Sequence, residues 1–124
     1  MKIAIRSDKA PKAVGPYSQA IQTGNLLFVS GQLGINGEGQ MIGTDAAAQA
    51  RQSLDNIRTI LEAAGYELKD VVKSTIFLTD MNDFATVNGI YQEYFTIPYP
   101  ARACVQVARL PRDGKVEIEV IAAR

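Results

Sequence analysis

Arg102 and Glu117 are the two residues whose types and spacing could bind and hydrolyse a small carboxylic acid. Arg102 lies in the segment Pro100–Cys104, and Glu117 follows in Val116–Ile118. An arginine fork donates two parallel hydrogen bonds to a carboxylate, and a nearby glutamate can orient or deprotonate water. The two segments are expected to be adjacent strands, so side-chain alternation predicts that both residues point to the same side of a sheet. Spacing alone still favours a simpler alternative, an ordinary ion pair across the strands.

The chain contains no histidine and a single cysteine, Cys104. The lack of histidine excludes Ser-His-Asp and Cys-His catalytic pairs and removes the commonest zinc ligand. One cysteine cannot form an intramolecular disulfide. With neither histidine nor lysine in its motif, Cys104 is expected to be a small buried residue rather than a nucleophile. Any chemistry must therefore use carboxylates, arginine, tyrosine, backbone groups and water.

Length and composition predict a single domain over residues 1–124. Hydrophobic residues make up 47% of the chain, which is enough for a packed core. Thirteen basic residues balance thirteen acidic ones, whereas a nucleic-acid binder usually has a basic excess that neutralises phosphates. No stretch approaches the ~18 apolar residues of a membrane span, and the N-terminus lacks the pattern of a secretory signal. We therefore expect a cytoplasmic protein that binds neither nucleic acid nor membrane.

Local patterns predict six strands and two helices. The strands are expected over residues 2–6, 18–22, 26–30, 71–79, 101–108 and 116–122. The first helix is expected over 45–64, where apolar residues recur at spacings of three and four, with Thr44 as N-cap and Gly65 as the stop. The second helix is marked by Phe84, Val87, Tyr91 and Tyr94, and its aromatic stripe is expected to be core. Residues 31–43 carry five glycines and are predicted to be a loop.

The last two strands have distinct apolar and polar rows. The apolar rows are Ala103, Val105 and Val107 on one strand and Val116, Ile118 and Val120 on the other. Both apolar rows are expected to lie under the helices, which gives an α+β layer. The polar rows, Arg102, Cys104 and Gln106 with Glu117 and Glu119, are expected to form a face that is either bare or covered by another subunit.

Motifs along nearly the whole chain resemble the Rid (YjgF) family. The closest stretch is Pro100-Ala101-Arg102-Ala103-Cys104, then Val107-Ala108-Arg109-Leu110-Pro111, then Val116-Glu117-Ile118. Further matches are Ala13-Val14-Gly15-Pro16-Tyr17-Ser18-Gln19, Ser30-Gly31-Gln32, Ala48-Gln49-Ala50 and Asp83-Phe84-Ala85-Thr86-Val87-Asn88. The chain departs from the family pattern in two places: Ala103 is serine in many relatives, and Leu33-Gly34 replaces a common Ile-Pro. The second departure lies beside Gly31, so it bears on substrate size.

The resemblance implies a fold, an assembly and an activity. The fold would be chorismate-mutase-like α+β (YjgF-type), with a mixed sheet and two helices packed on one of its faces. The assembly would be a homotrimer with a central barrel and with clefts between subunits. The activity would be hydrolysis of 2-imino or enamine acids, such as 2-iminobutanoate and 2-iminopropanoate, to 2-oxo acids and ammonia. The resemblance implies neither a metal nor a cofactor.

Matched positions also imply roles for individual residues. Arg102 would bind the substrate carboxylate, Glu117 would position the attacking water, and Tyr17 would close the cleft from a neighbouring subunit. Without the family, Tyr17 after Gly-Pro would more simply be turn packing. The remaining contacts to substrate or water would come from Gly31, Cys104 and Asn88.

Two other functions stay open at this point. The same carboxylate receptor would serve a non-enzymatic regulator that binds small carboxylates, with Glu117 inert. An RNA-cleaving translation inhibitor is also a role attached to this family. The balanced charge and the lack of histidine argue against RNA cleavage, because metal-free ribonucleases usually use histidine acid–base pairs.

Overall fold

The computed structural model describes all residues 1–124 as a six-stranded sheet with two helices packed on one face. The strands are β1 (Ile3–Ile5), β2 (Ala20–Thr23), β3 (Leu26–Leu33), β4 (Val71–Leu78), β5 (Ala101–Gln106) and β6 (Val116–Ala123). The helices are α1 (Ala46–Ala63) and α2 (Phe84–Tyr94). All eight predicted elements are present, and the α+β class is confirmed. Neither helix has the length and apolar character that a membrane crossing requires.

The strand order is β1-β2-β3-β6-β4-β5, and the sheet is mixed. β4 and β5 are parallel, while every other neighbouring pair is antiparallel. A parallel pair needs a crossover connection, and α2 provides it between β4 and β5. The prediction that the last two strands are adjacent is therefore wrong, because β4 lies between them.

The strand register places Arg102 and Glu117 on opposite faces of the sheet. Arg102 pairs with Ser74 of β4, and Glu117 pairs with Phe77 of the same strand. Positions three apart on one strand point to opposite faces, and paired residues share a face. Ser74 is buried beneath α2, so Arg102 lies on the helix-covered face and Glu117 on the other. The prediction that the two side chains share a side is wrong, because it assumed direct pairing of β5 with β6.

The apolar rows of the last two strands also separate. Val116, Ile118 and Val120 are buried under the helices, as predicted. Val105 pairs with Phe77, so the apolar row of β5 faces away from the helices and Val105 remains 43% exposed. The helix-free face, which we call the open face, therefore carries apolar side chains of β5 beside Glu117 and Glu119 rather than a wholly polar surface.

Helix α1 begins and ends on local signals. Asp45 is the N-cap, and its side chain accepts a hydrogen bond of 2.8 Å from the backbone N–H of Ala48. The predicted cap, Thr44, lies one residue too early. Gly65 ends the helix as expected: it has a φ of +79°, a region that glycine adopts at little cost. The stripe that α1 buries is centred on Ala50, Leu54, Ile57 and Leu61.

Candidate active site

Arg102 lies at the mouth of a cavity of about 400 Å³ between α2 and β5. We call this the arginine half-site, and its lining is Asn88, Tyr91, Gln92, Tyr99, Pro100 and Arg102. The guanidinium donates a 2.7 Å hydrogen bond from Nη1 to Oδ1 of Asn88. Its other N–H groups have no partner within the chain. An arginine with one nitrogen held by a hydrogen bond and its other N–H groups free is suited to bind a carboxylate.

The first turns of α2 set the position of this half-site. Gln106 of β5 accepts a 2.6 Å hydrogen bond from the backbone N–H of Met81, in the short turn that leads into the helix. Asn88 follows Phe84 by one helical turn, so both face Arg102. Asn88, which was expected to border the site, thus lies against Arg102, and its side-chain carbonyl oxygen accepts the hydrogen bond from the guanidinium.

Cys104 lies on the same face as Arg102, two residues along β5. Burial raises the pKa of its thiol, and the charge of Arg102 only partly opposes this shift. A thiol with a raised pKa is a poor nucleophile, which agrees with the expectation that its side chain is inert. Because β5 is an edge strand, backbone groups on its outer side are unpaired and available to a ligand.

Glu117 and Gly31 form a second group on the other side of the sheet, which we call the glutamate half-site. Strand β3 was predicted to stop at Ser30, but it continues to Leu33 through a bulge between Val29 and Gln32. The bulge brings Gly31 against the Glu117 side chain. A Cβ at position 31 would lie 2.9 Å from both Cδ and Oε2 of Glu117, so only glycine fits there without displacing the carboxyl.

The carboxyl of Glu117 has a raised pKa. Burial is the larger cause, and the negative charge of Glu119, which lies on the same face, adds to it. A carboxylate held in this way binds a proton more strongly than an exposed one. Raised pKa values of this kind are typical of residues that accept protons in catalysis.

Tyr17 and Gly31 line a neighbouring cavity of about 610 Å³, which also includes Pro111 and Arg112. Tyr17 follows the Gly-Pro turn and is 54% exposed, and a Cβ added at Gly15 would lie 3.7 Å from its ring. Tyr17 therefore belongs to the glutamate half-site and is absent from the lining of the arginine half-site. Within one chain, the six predicted residues form two groups: Arg102, Asn88 and Cys104 on one face, and Glu117, Gly31 and Tyr17 on the other side.

A buried polar stripe on α1 fixes the loop behind the glutamate half-site. Ser53 donates a 2.7 Å hydrogen bond to the carbonyl of Gln32, and Asn56 donates to the carbonyls of Leu33 and Ile35. Gln49 accepts a 2.7 Å bond from the backbone N–H of Lys115. The apolar stripe of α1 was predicted from the sequence, but the role of these polar residues was not. Their spacing of four and three residues on one helical face was the available signal.

No group of three or more His, Cys, Asp or Glu side chains is arranged to hold a metal ion. The polar groups at the two half-sites are a guanidinium, one carboxylate, amides and phenols. These groups suit hydrogen bonding to a small polar organic molecule.

Comparison with known proteins identifies the family. The family model described as endoribonuclease L-PSP matches residues 7–124. The 2-iminobutanoate/2-iminopropanoate deaminase of Escherichia coli is 51% identical over 127 aligned residues, which cover 100% of this chain and 99% of that protein. The chain belongs to the YjgF/RidA (endoribonuclease L-PSP) family.

Solved structures of this RidA family share the whole fold. RidA from the Antarctic bacterium Psychrobacter sp. has a TM-score of 0.95 at 50% identity, with 98% of this chain and 99% of that one covered. TdcF of E. coli, whose structure contains bound serine, has a TM-score of 0.93 at 46% identity, with 98% of both chains covered. The mixed sheet with two helices is therefore the RidA-family fold.

Proposed function

We propose that this chain hydrolyses reactive 2-imino acids, such as 2-iminobutanoate and 2-iminopropanoate, to 2-oxo acids and ammonia. The observation that supports this most directly is the pairing of full-length 51% identity to a deaminase of that name with an arginine preset for a carboxylate. Bound serine in the TdcF structure further supports a ligand that has a carboxylate and nitrogen on the adjacent carbon. The single free cysteine suits a reducing cytoplasmic location.

We further propose that the active site forms between subunits of a homotrimer. Arg102 and Glu117 lie on opposite faces of one sheet, and their β4 partners are about 10 Å apart along the strand. They cannot converge on one small molecule within a single chain, but the arginine half-site of one subunit can meet the glutamate half-site of the next.

Apolar side chains on the open face support this assembly. Phe28 pairs with Ile121 on that face, and Phe28 and Val105 are 41% and 43% exposed. Apolar groups exposed together on a sheet face are typical of a surface that another subunit covers. Packing three such faces together would enclose a central barrel, and Tyr17 would then reach the cleft from the neighbouring subunit.

In the proposed mechanism, the chain contributes orientation and one proton acceptor. Arg102 binds the substrate carboxylate through its free N–H groups, which fixes the imine carbon and lowers the entropic barrier. The Glu117 carboxylate accepts a proton from water as the water oxygen bonds to the carbon of the protonated imine. The resulting carbinolamine receives that proton on nitrogen, and the C–N bond breaks as the hydroxyl oxygen becomes the carbonyl of the 2-oxo acid. The hydroxyl proton passes to the departing ammonia, which leaves as ammonium. Glu117 ends the cycle as a carboxylate, so the step needs no cofactor.

A coupled assay tests this function directly. A threonine dehydratase supplied with threonine generates 2-iminobutanoate, and its decay is followed with and without the purified chain. We expect Arg102→Lys and Glu117→Gln each to lower kcat/KM by about 100-fold or more, because one removes the fork and the other the base. Binding of 2-oxobutanoate should weaken in Arg102→Lys and change little in Glu117→Gln.

The same measurements separate the enzyme from a non-enzymatic carboxylate binder. Wild-type protein that binds 2-oxobutanoate but leaves imine decay unchanged would refute the deaminase and favour the binder. Full activity in Glu117→Gln would refute its role as the base.

A further inference from the structure

Tyr91 lies directly beneath the guanidinium of Arg102. The Cζ atom of Arg102 is 4.9 Å from the centroid of the Tyr91 ring and 5.7 Å from that of Phe84. Both distances fall within the range where a cation is attracted to the face of an aromatic ring. With Asn88, these two rings make one face of α2 that contacts the arginine at three points.

The Tyr91 ring is itself held firmly from behind. Its side chain is 4% exposed, and its hydroxyl lies 2.9 Å from Oγ of Ser74, which is fully buried. Phe95 packs against the same ring, with centroids 4.5 Å apart. Burial raises the pKa of the Tyr91 phenol, so the ring stays neutral and attracts Arg102 through its face rather than as a phenolate.

We infer that Tyr91 is a positioning residue whose buried ring sets the orientation of Arg102 for the substrate carboxylate. This inference rests on the proposed function. A long, exposed arginine loses rotamer freedom when it binds a ligand, and a guanidinium already resting on a fixed ring loses less. Asn88 fixes one nitrogen of the guanidinium and Tyr91 restricts the rest, so the unpaired N–H groups remain directed at the cavity.

Tyr66 offers a matched control within the same chain. It is 3% exposed, its hydroxyl donates a 2.9 Å hydrogen bond to the carbonyl of Asn25, and Arg124 lies 5.6 Å from its ring centroid. It therefore reproduces the burial, the hydrogen bond and the cation contact of Tyr91, but neither it nor Arg124 lines the cavity at Arg102. A loss of thermal stability or ligand affinity that both tyrosine variants share is structural. A loss of ligand affinity that only the Tyr91 variant shows comes from the contact with Arg102.

The test compares Tyr91→Leu, Tyr91→Phe and Tyr66→Leu by calorimetric titration with 2-oxobutanoate and by the coupled imine assay. We expect Tyr91→Leu to raise Kd and KM by about 5- to 20-fold with kcat changed much less, because the ring contact is lost while Glu117 is untouched. Tyr91→Phe keeps the ring and should stay within about 3-fold of wild type. Tyr66→Leu should lower the melting temperature without changing Kd.

Two results would overturn the inference: an unchanged Kd in Tyr91→Leu, or an equal loss in Tyr91→Phe. If Tyr91→Leu does not fold, Tyr91→Met decides, since methionine fills more of the buried space than leucine and has no aromatic face. A weaker Kd in that variant supports the aromatic contact, and an unchanged Kd overturns it. Arg102→Lys in the same titration separates this failure from that of the proposed function. If Arg102→Lys binds normally, the carboxylate is held elsewhere and the proposed function fails; if only Tyr91→Leu binds normally, the inference alone fails.

Discussion

Two inactive variants should restore activity when they are combined in one trimer. In the proposed assembly each cleft takes Arg102 from one subunit and Glu117 from the next. Arg102→Lys subunits keep an intact Glu117, and Glu117→Gln subunits keep an intact Arg102. A cleft between one of each kind, in the correct order, therefore has both residues.

The expected kcat follows from the cyclic arrangement of the three subunits. Any trimer that contains both variants has one interface in which a Glu117→Gln subunit presents its arginine half-site to the glutamate half-site of an Arg102→Lys subunit. Mixed trimers should therefore show about one third of the wild-type kcat per trimer, with an unchanged KM. A value near one half would instead indicate a dimer.

The assay requires mixed trimers free of either parent. The two variants are co-expressed with different affinity tags, purified on both tags in turn, and checked for three chain masses by sedimentation equilibrium before the coupled imine assay. As a control, Arg102→Lys is combined with the double variant Arg102→Lys/Glu117→Gln, which leaves no intact arginine and should give no activity. Mixed trimers as inactive as their parents would refute the shared site.

Three further predictions concern the glutamate half-site. Gly31→Ala places a Cβ 2.9 Å from Cδ of Glu117, so the carboxyl must shift, and kcat should fall by about 10-fold while thermal unfolding stays near wild type; unchanged kcat would mean that this geometry is not critical. Because the pKa of Glu117 is raised and the base must be ionised, activity should fall as pH drops through that raised pKa. Glu119→Gln should move this acidic limb of the pH–activity profile to lower pH. A profile that does not move would exclude an influence of Glu119 on the pKa of Glu117. Ser53→Ala leaves the carbonyl of Gln32 without its buried donor and should cost about 1–3 kcal/mol in chemical denaturation, whereas an unchanged midpoint would show that the bond is dispensable.

Local signals in the sequence predicted the elements well but not their arrangement. The apolar spacing of α2 and its aromatic residues marked Phe84–Tyr94, and Gly65 marked the end of α1, because these features act within a few residues. The β3 bulge was missed because the glycine-rich run after Ser30 looks like a loop until β6 is paired against it. The neighbour of each strand depends on long-range pairing that alternation cannot reveal.

The main error about the site has the same origin. Alternation correctly grouped Val116, Ile118 and Val120, and correctly separated Arg102 from Val105. It could not say which row of β5 faces the helices, since that depends on the parallel register with β4. The family resemblance gave the six site residues as one set, and the strand register shows that within one chain Arg102 and Glu117 lie on opposite faces.

Gly34 limits where the cavity beside Tyr17 and Gly31 could be redesigned. A Cβ at this position would lie 2.5 Å from Cα of Gln49, so the backbone of the 34–43 loop touches that of α1 with no side chain between them. Enlarging residue 34 would push the helix itself, and the disturbance would reach every loop carbonyl that α1 holds. By contrast, Gly39 at the tip of the same loop has nothing within 4 Å of an added Cβ, although its φ of +83° favours glycine or asparagine. Insertions that reshape the cavity should therefore be made at the tip of the loop, and residue 34 should be kept as glycine.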